Sequence, residues 1–460
     1  MTLNEYISSV KGRSIAVIGA GVSNRPLIEA LAAGGCRVTV CDKSGREALG
    51  GYAEKLESLG VALRLGDGYL DSLDFDLIFR TPGVLPNTPQ LVKAAESGAE
   101  ITSEMELFFR LCPCRTIAVT GSDGKTTTTT LISEILRTAG LRVWLGGNIG
   151  HPLLTDTPNM SPDDIAVLEL SSFQLHSMKC SPDIAVITNV SPNHLDKHPD
   201  YQDYIDAKKN ILLGQKPGSL LVLNADNEVT RAMAPLARGR VRMFSRRERV
   251  KDGFFDEDGT IYQAHGGENT AMVLDEEIRI PGKHNVENYM AAFCATDGLA
   301  GRREWRTVAK NFLGVEHRLE FVRNLRGVDY YNDSIASSPT RTIAGLHSFE
   351  RKPVLIAGGY DKNLSYEPLG EAAIGRVKAM FLTGDTAEKI RAAVTSAPGY
   401  DPDELPVTVI DDFDEAVRAA ANYAQSGDMV LFSPASASFD RFRNFEERGR
   451  YFKKLILEMK

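Results

Sequence analysis

The chain has 460 residues, too many for one core at about 100–200 residues per domain, so three folding units are expected, with two as the alternative. At 43% hydrophobic and 25% charged residues, the composition is that of an ordinary soluble globular protein, and large disordered segments are not expected. The net charge of −8, with Lys and Arg scattered except at Arg246-Arg247-Glu248-Arg249, argues against a nucleic-acid binder.

No apolar run approaches the roughly 18 residues that span a bilayer, and Met1-Thr2-Leu3-Asn4-Glu5 lacks the basic and apolar pattern of a leader. A cytoplasmic protein without membrane contact is expected, and the lack of a helical zipper suggests a monomer. The six cysteines show no paired ligand spacing, and Cys112-Pro113-Cys114 is too tight for a zinc knuckle. Free thiols in a reducing compartment are the expectation.

In chain order, β-branched runs alternate with Gly-rich or polar turns and helical stretches, the pattern of parallel α/β sheets. Ser14–Ile18, Arg37–Cys41 and Asp76–Phe79 read as strands of a Rossmann-like unit over residues 1–100. A central unit, 101–315, starts its sheet at Thr116–Thr120 and continues through Ile165–Leu168, Ile184–Ile187 and Leu220–Leu223. The polar stretch near 246–270 reads as a hairpin or surface excursion. A C-terminal Rossmann-like unit, 316–460, takes Val328–Tyr331, Val354–Ala357, Ala379–Leu382 and Met429–Phe432 as strands.

Gly19-Ala20-Gly21 after the first strand, with Asp42 ending the second, suits a pyrophosphate at a helix N-terminus. The third glycine of a dinucleotide fingerprint would fall at Asn24, so NAD, another nucleotide phosphate and a plain tight turn all stay open. Val119-Thr120-Gly121-Ser122-Asp123-Gly124-Lys125-Thr126-Thr127 is more specific, because it follows a strand and opens a helix ended by Gly140. Its amides and helix dipole suit phosphate oxygens, Lys125 suits the β and γ phosphates, and Thr126 suits Mg²⁺. It is a shortened P-loop, since the first glycine of the usual spacing is replaced by Val119.

Glu169, ending the strand in Leu168-Glu169-Leu170-Ser171-Ser172, reads as a carboxylate facing the metal of that loop. His194, in Asn189-Val190-Ser191-Pro192-Asn193-His194-Leu195-Asp196-Lys197-His198, reaches the same sheet edge. His194, Asp196 and His198 tempt a zinc reading, but one imidazole near the ATP metal is preferred. Lys208 lies on a helix where composition alone predicts a solvated side chain. The strand-ending turns at Asp333-Ser334 and Ser433-Pro434-Ala435-Ser436 could bind carboxylates or merely cap helices.

Together these motifs resemble the Mur ligases. The resemblance rests on T-G-S-D-G-K-T-T, E-L-S-S-F-Q-L from Glu169, N-V-S-P-N-H-L-D from Asn189, G-K-H-N-V-E-N from Gly282, H-R-L-E from His317, and S-P-A-S-A-S-F-D. The last, followed by Asn444-Phe445-Glu446-Glu447-Arg448-Gly449, points to the members that add D-glutamate to UDP-N-acetylmuramoyl-L-alanine in peptidoglycan precursor synthesis. The resemblance implies a three-domain α/β ligase in which ATP activates a carboxylate as an acyl phosphate and an amine displaces phosphate. Another Mur or folylpolyglutamate-type ligase is the near alternative; an NAD oxidoreductase or a P-loop switch is the distant one.

By the same resemblance, Gly121, Ser122, Asp123, Gly124, Lys125, Thr126 and Thr127 hold the nucleotide phosphates. Asn288 meets the adenine, Arg318 the phosphates and Asp333 the ribose. Two Mg²⁺ ions would be held by Thr126, Glu169, His194 and Lys208, the last as a carbamate. Val22, Ser23, Asp42 and Thr81 would line the uridine diphosphate site, and Asn148 would contact the muramoyl substrate. D-Glutamate falls to Ser337, Lys362, Ser438, Phe439 and Phe445. One departure stands out: many members read D-S-K-A-T-N where this chain has Asp333-Ser334-Ile335-Ala336-Ser337-Ser338, so no cation comes from position 335.

Overall fold

Short β-branched runs become parallel strands when helices return the chain over both faces of a sheet, and most strands here follow that rule. The structure is a computed structural model describing residues 1–460 apart from Asp196 and Asn363. The chain forms two compact units, Met1–Asp275 with Val286–Ala309, and Glu276–Asn285 with Lys310–Lys460.

In the first unit, β1 (Ser14–Ile18), β2 (Arg37–Asp42), β3 (Ala62–Leu65), β4 (Leu77–Phe79) and β5 (Glu100–Thr102) form a parallel sheet. Its order is β3-β2-β1-β4-β5. The direction of winding switches between β1 and β4, and their carboxyl ends open the kind of crevice in which α/β sheets take ligands. Gly19, just past β1, lies so near the other strand end that a Cβ there would stand 3.1 Å from Thr81 Cβ.

The same unit holds a larger sheet, ordered β14-β13-β12-β11-β10-β9-β6-β8-β7. Its strands are β6 (Arg115–Thr120), β7 (Val143–Gly147), β8 (Ile165–Glu169), β9 (Ile184–Ile187), β10 (Leu220–Asn224), β11 (Arg240–Ser245), β12 (Gly253–Glu257), β13 (Thr260–His265) and β14 (Glu268–Leu274). The central strands β8 and β9, and β6 beyond its exposed first residue Arg115, are buried and bring the ends at Thr120, Glu169 and Ile187 to one edge. The expected hairpin near 246–270 is the antiparallel meander β12-β13-β14, whose last strand is mostly solvent-facing.

The second unit is built on β15 (Glu320–Leu325), β16 (Val328–Asn332), β17 (Val354–Ala357), β18 (Ala379–Leu382), β19 (Val407–Val409) and β20 (Met429–Phe432). The order is β15-β16-β20-β17-β18-β19, parallel except for β15. Leu355, Leu382 and Leu431 pack on one side, and Ile356, Val430 and Phe432 pack on the other. Among the described residues, no helix is long and apolar enough to cross a membrane.

Candidate active site

The phosphate loop joins β6 to the helix Lys125–Thr138, and neighbouring backbone fixes its shape. A Cβ on Gly121 would stand 1.9 Å from Thr188 Oγ1, and one on Gly124 would stand 2.2 Å from Asn288 Oδ1. Gly124 also takes the left-handed conformation, φ 78°, that turns the chain into the helix. The Ser122 amide donates to Asn189 O at 2.8 Å, and the Asp123 amide donates to Asn189 Oδ1 at 3.0 Å. The Ser122 hydroxyl donates to Ser191 O at 2.9 Å, and Thr188 Oγ1 donates to Asp123 O at 2.6 Å. Lys125 curls back over the loop, with Nζ 3.0 Å from Gly121 O and 2.9 Å from Ser122 O. Thr127 is buried behind it, and Asn288 lies under Gly124, accepting from Thr128 Oγ1 at 3.2 Å.

Thr126 and Glu169, singled out in the sequence for one metal, are adjacent. The Thr126 hydroxyl donates to Glu169 Oε2 at 2.6 Å, and Asn148 Nδ2 donates to Oε1 at 2.7 Å. Glu169 is buried, and its main-chain oxygen also accepts from the Asn148 amide at 2.8 Å. A hydroxyl beside a carboxylate is the hard oxygen donor set that suits Mg²⁺.

Lys208 departs from the solvated lysine that composition predicts. It is 1% exposed, with Nζ 2.7 Å from Gly121 O, 3.4 Å from Thr120 Oγ1 and 4.5 Å from the Tyr204 ring centre. Burial, and secondarily the Lys125 charge, pushes its amine well below the ordinary lysine range. His194 is exposed at φ 55°, its ring 5.4 Å from that of Phe173 and 6.4 Å from that of Tyr204. The zinc spacing His194, Asp196, His198 forms no ligand set in the described residues, and Asp196 lies outside them. His198 turns instead to Asp203, Nδ1 to Oδ2 2.6 Å, which also pairs with His176 at 3.0 Å; its other nitrogen bonds Ser172 Oγ at 2.9 Å. These contacts are direct hydrogen bonds joining two helices.

At the first sheet, Asp42 Oδ2 accepts from the Ala20 amide at 2.6 Å and Oδ1 from the Ser44 amide at 2.7 Å. Asn24, where a third glycine would stand, is buried and donates to Ile18 O and Gly19 O, both at 3.0 Å. The turn is thus braced by side chains. Val22 and Ser23 are exposed and Thr81 is half-buried. A cleft of about 610 Å³ in the same unit is lined by Tyr69, Leu70, Gly83, Val84, Phe173 and Lys197 among others, and not by the four predicted residues Val22, Ser23, Asp42 and Thr81.

Arg80, which nothing in the sequence marks, is 1% exposed next to Thr81. It donates to Val84 O at 2.6 Å, Phe173 O at 3.1 Å and Ser177 Oγ at 2.9 Å. Burial lowers its guanidinium to about 10. It ties the turn after β4 to the segment that follows Glu169.

In the second unit, Asp333 ends β16 and is buried, with Leu319 N 3.2 Å from Oδ1 and Ser433 Oγ 2.7 Å from Oδ2. Arg318 is half-buried on the preceding loop. The exposed Lys362 sets its ammonium 5.6 Å from the Phe439 ring centre, and Ser438 is buried beside it in sequence. Phe445 opens the helix Phe445–Glu458, and its carbonyl accepts from Ser334 Oγ at 2.8 Å. Ser337 is half-buried on the turn after β16. Arg448, which stands in the sequence segment from Asn444 without an assigned role, is 2% exposed and joins the two hydroxyl-rich turns, donating to Ala437 O at 2.7 Å, Ser334 O at 2.9 Å and Ser436 O at 3.1 Å. Only its place one turn into the helix after Asn444 could have flagged it.

Two family descriptions match the chain: "Mur ligase middle domain" over residues 119–296 and "Mur ligase, glutamate ligase domain" over residues 317–436. The chain is 49% identical over 456 residues to the UDP-N-acetylmuramoylalanine--D-glutamate ligase of Clostridium novyi, covering 99% of each. It is 48% identical over 455 residues to the ligase of the same name from Clostridium tetani, covering 98% of each. Its fold is similar to the MurF ligase of Thermotoga maritima in complex with ADP, at TM-score 0.56 and 18% identity, covering 96% of this chain and 94% of that one. A phosphate loop seated beside a strand-end carboxylate, on an α/β chain that matches such enzymes end to end, belongs to an ATP-dependent amide-bond-forming ligase, and this chain is a member of the Mur ligase family.

Proposed function

We propose that this ligase joins D-glutamate to UDP-N-acetylmuramoyl-L-alanine, converting ATP to ADP and phosphate. The acceptor is supported by the ligases named for it that the chain matches throughout. The observation that carries the chemistry is the Thr126–Glu169 bond at 2.6 Å beside a preformed phosphate loop. A carboxylate resists attack by an amine until one of its oxygens becomes a leaving group. Phosphorylation of the L-alanyl carboxylate supplies that group, the D-glutamate amine adds to the carbonyl carbon, and the tetrahedral intermediate expels phosphate.

In this reading Lys125 neutralises the migrating phosphoryl group, leaving the Gly121 and Ser122 carbonyls it holds here. Gly121 to Thr127 cradle the phosphates, Asn288 serves the adenine, Arg318 the phosphates and Asp333 the ribose. Thr126 and Glu169 would hold one Mg²⁺ and Glu169 with His194 a second, screening the charge of the phosphates as they approach another anion. The depressed Lys208 amine is nucleophilic toward carbon dioxide, and the resulting carbamate would present oxygen to a cation that an ammonium would repel. Val22, Ser23, Asp42, Thr81 and Asn148 serve the nucleotide sugar, and Ser337, Lys362, Ser438, Phe439 and Phe445 serve D-glutamate. The division into 1–100, 101–315 and 316–460 assigns these tasks to nucleotide sugar, ATP and amino acid in turn.

The test is phosphate release with the two substrates added singly and together to ATP and Mg²⁺. Release that requires both is expected. Rapid release with neither, or equal turnover with L-alanine or a diamino acid in place of D-glutamate, overturns the assignment.

A further inference from the structure

Two guanidinium groups in the second unit lie near one buried carboxylate without pairing with it. Asp333 is held by Leu319 N and Ser433 Oγ, and burial pushes its carboxyl up to about 7 while the fields of Arg318 and Arg341 act to lower it. Arg341 donates from Nη1 to Ile335 O at 3.1 Å, and among the described residues it makes no ion pair. Burial of part of the side chain disfavours its charge, and Arg318 does so secondarily, which places the two like charges within each other's field. Position 335 is isoleucine and contributes no cation.

The register of Arg341 is fixed by its helix, Pro339–Leu346. Thr342 is buried and accepts from Ser433 Oγ at 2.9 Å. One turn on, a Cβ at Gly345 would stand 3.1 Å from Asp333 Oδ2, so the helix backbone lies almost against the carboxylate. Arg318 is held from the other segment, where Ile335 N donates to His317 O at 3.1 Å. Part of the Arg341 side chain remains exposed, so a ligand can reach it.

We propose that Arg341 is a phosphate-binding residue that grips, together with Arg318, the anionic chain of the nucleotide whose ribose Asp333 receives. This rests on the roles given to Asp333 and Arg318 above and adds a residue to them. Two forked guanidinium groups present several N–H donors in planes that match phosphate oxygens, and a bound anion removes their mutual repulsion. The amino-acid carboxylates have a separate cation in Lys362, seated over Phe439.

The experiment titrates ADP and adenosine into the full-length chain by calorimetry, comparing wild type with Arg341→Ala, Arg341→Gln and Arg341→Lys. Loss of a charge-assisted phosphate contact weakens ADP binding by roughly tenfold or more in the Ala and Gln variants. Adenosine affinity stays unchanged, Arg341→Lys recovers part of the loss, and KM for ATP rises while KM for D-glutamate does not. Unchanged ADP affinity, equal losses for ADP and adenosine, or a rise confined to KM for D-glutamate overturns the proposal. The Gln variant keeps the comparison available if the Ala variant does not fold. Phosphate release by the wild type tests the ligase reading separately, so failure of that reading is distinguishable from failure at Arg341.

Discussion

Thr126 donates its hydroxyl hydrogen to Glu169 at 2.6 Å, leaving Asn148 to hold the second carboxylate oxygen at 2.7 Å. Glu169→Gln preserves shape, but it removes the charge and replaces one acceptor with a donor, so either the Thr126 bond reverses direction or Asn148 loses its acceptor. Catalytic efficiency is expected to fall by roughly 100-fold or more, with the Mg²⁺ needed for half-activity raised. Steady-state phosphate release across a Mg²⁺ series measures both. An unaltered Mg²⁺ curve would remove Glu169 from the metal site.

Lys208 makes its own prediction. Burial lowers the Lys208 amine well below the ordinary lysine range, which favours reaction with carbon dioxide over that of a solvated lysine. Lys208→Ala should lose nearly all ligase activity, and millimolar formate or acetate should return part of it by restoring a carboxylate to the space. Full activity in the plain variant would refute the carbamate.

Glu104 supplies a test independent of catalysis. It is 6% exposed, and burial pushes its carboxyl from 4.5 up to about 8, partly countered by the Leu154 amide. The folded chain therefore keeps a proton that the unfolded chain releases between about pH 4.5 and 8. This group's contribution to stability is fully present below that window and is lost as pH rises through it, at up to about 1.4 kcal/mol per unit. Glu104→Gln cannot ionise, so the melting temperature of the variant relative to wild type should rise by several degrees between pH 5 and pH 8.5. A difference independent of pH would show that Glu104 ionises normally.

Arg448 holds three backbone carbonyls in a dry interior. Arg448→Ala leaves the Ser334 and Ser436 carbonyls without that donor, while Ala437 O keeps the Tyr360 amide, and should destabilise the chain by roughly 3 kcal/mol, read as a lower urea midpoint. Arg448→Lys should recover little, because one ammonium cannot span what the guanidinium fork spans. A midpoint unchanged in the Ala variant would contradict the packing.

The sequence reading located strands in proportion to their burial. Ile184–Ile187, Val354–Ala357, Ala379–Leu382 and Met429–Phe432 lie inside their sheets, are covered on both faces and read as continuous apolar runs. The strands it left out include β3, β5, β7, β15 and β19, all sheet edges with partly open faces, so that Ala62–Leu65 and Val407–Val409 carry too weak a pattern to separate from loop. The site divides similarly. Thr126 and Glu169 were legible because a phosphate loop and a strand end constrain each other in sequence. Arg80, Arg341 and Arg448 were not, because a lone arginine gains its meaning from partners about 100 residues away in the chain or from a field that only folding creates.

Asn189 holds the Ser122 and Asp123 amides through its own carbonyl and its side-chain oxygen. The conformational entropy of ordering the loop is thus spent during folding and not when nucleotide arrives, so affinity draws on a preorganised receptor. On the proposed function, the same arrangement makes the 188–191 turn a remote control on nucleotide affinity. Changes there loosen the loop without touching a phosphate, weakening binding through the free state while the contacts made in the complex stay the same.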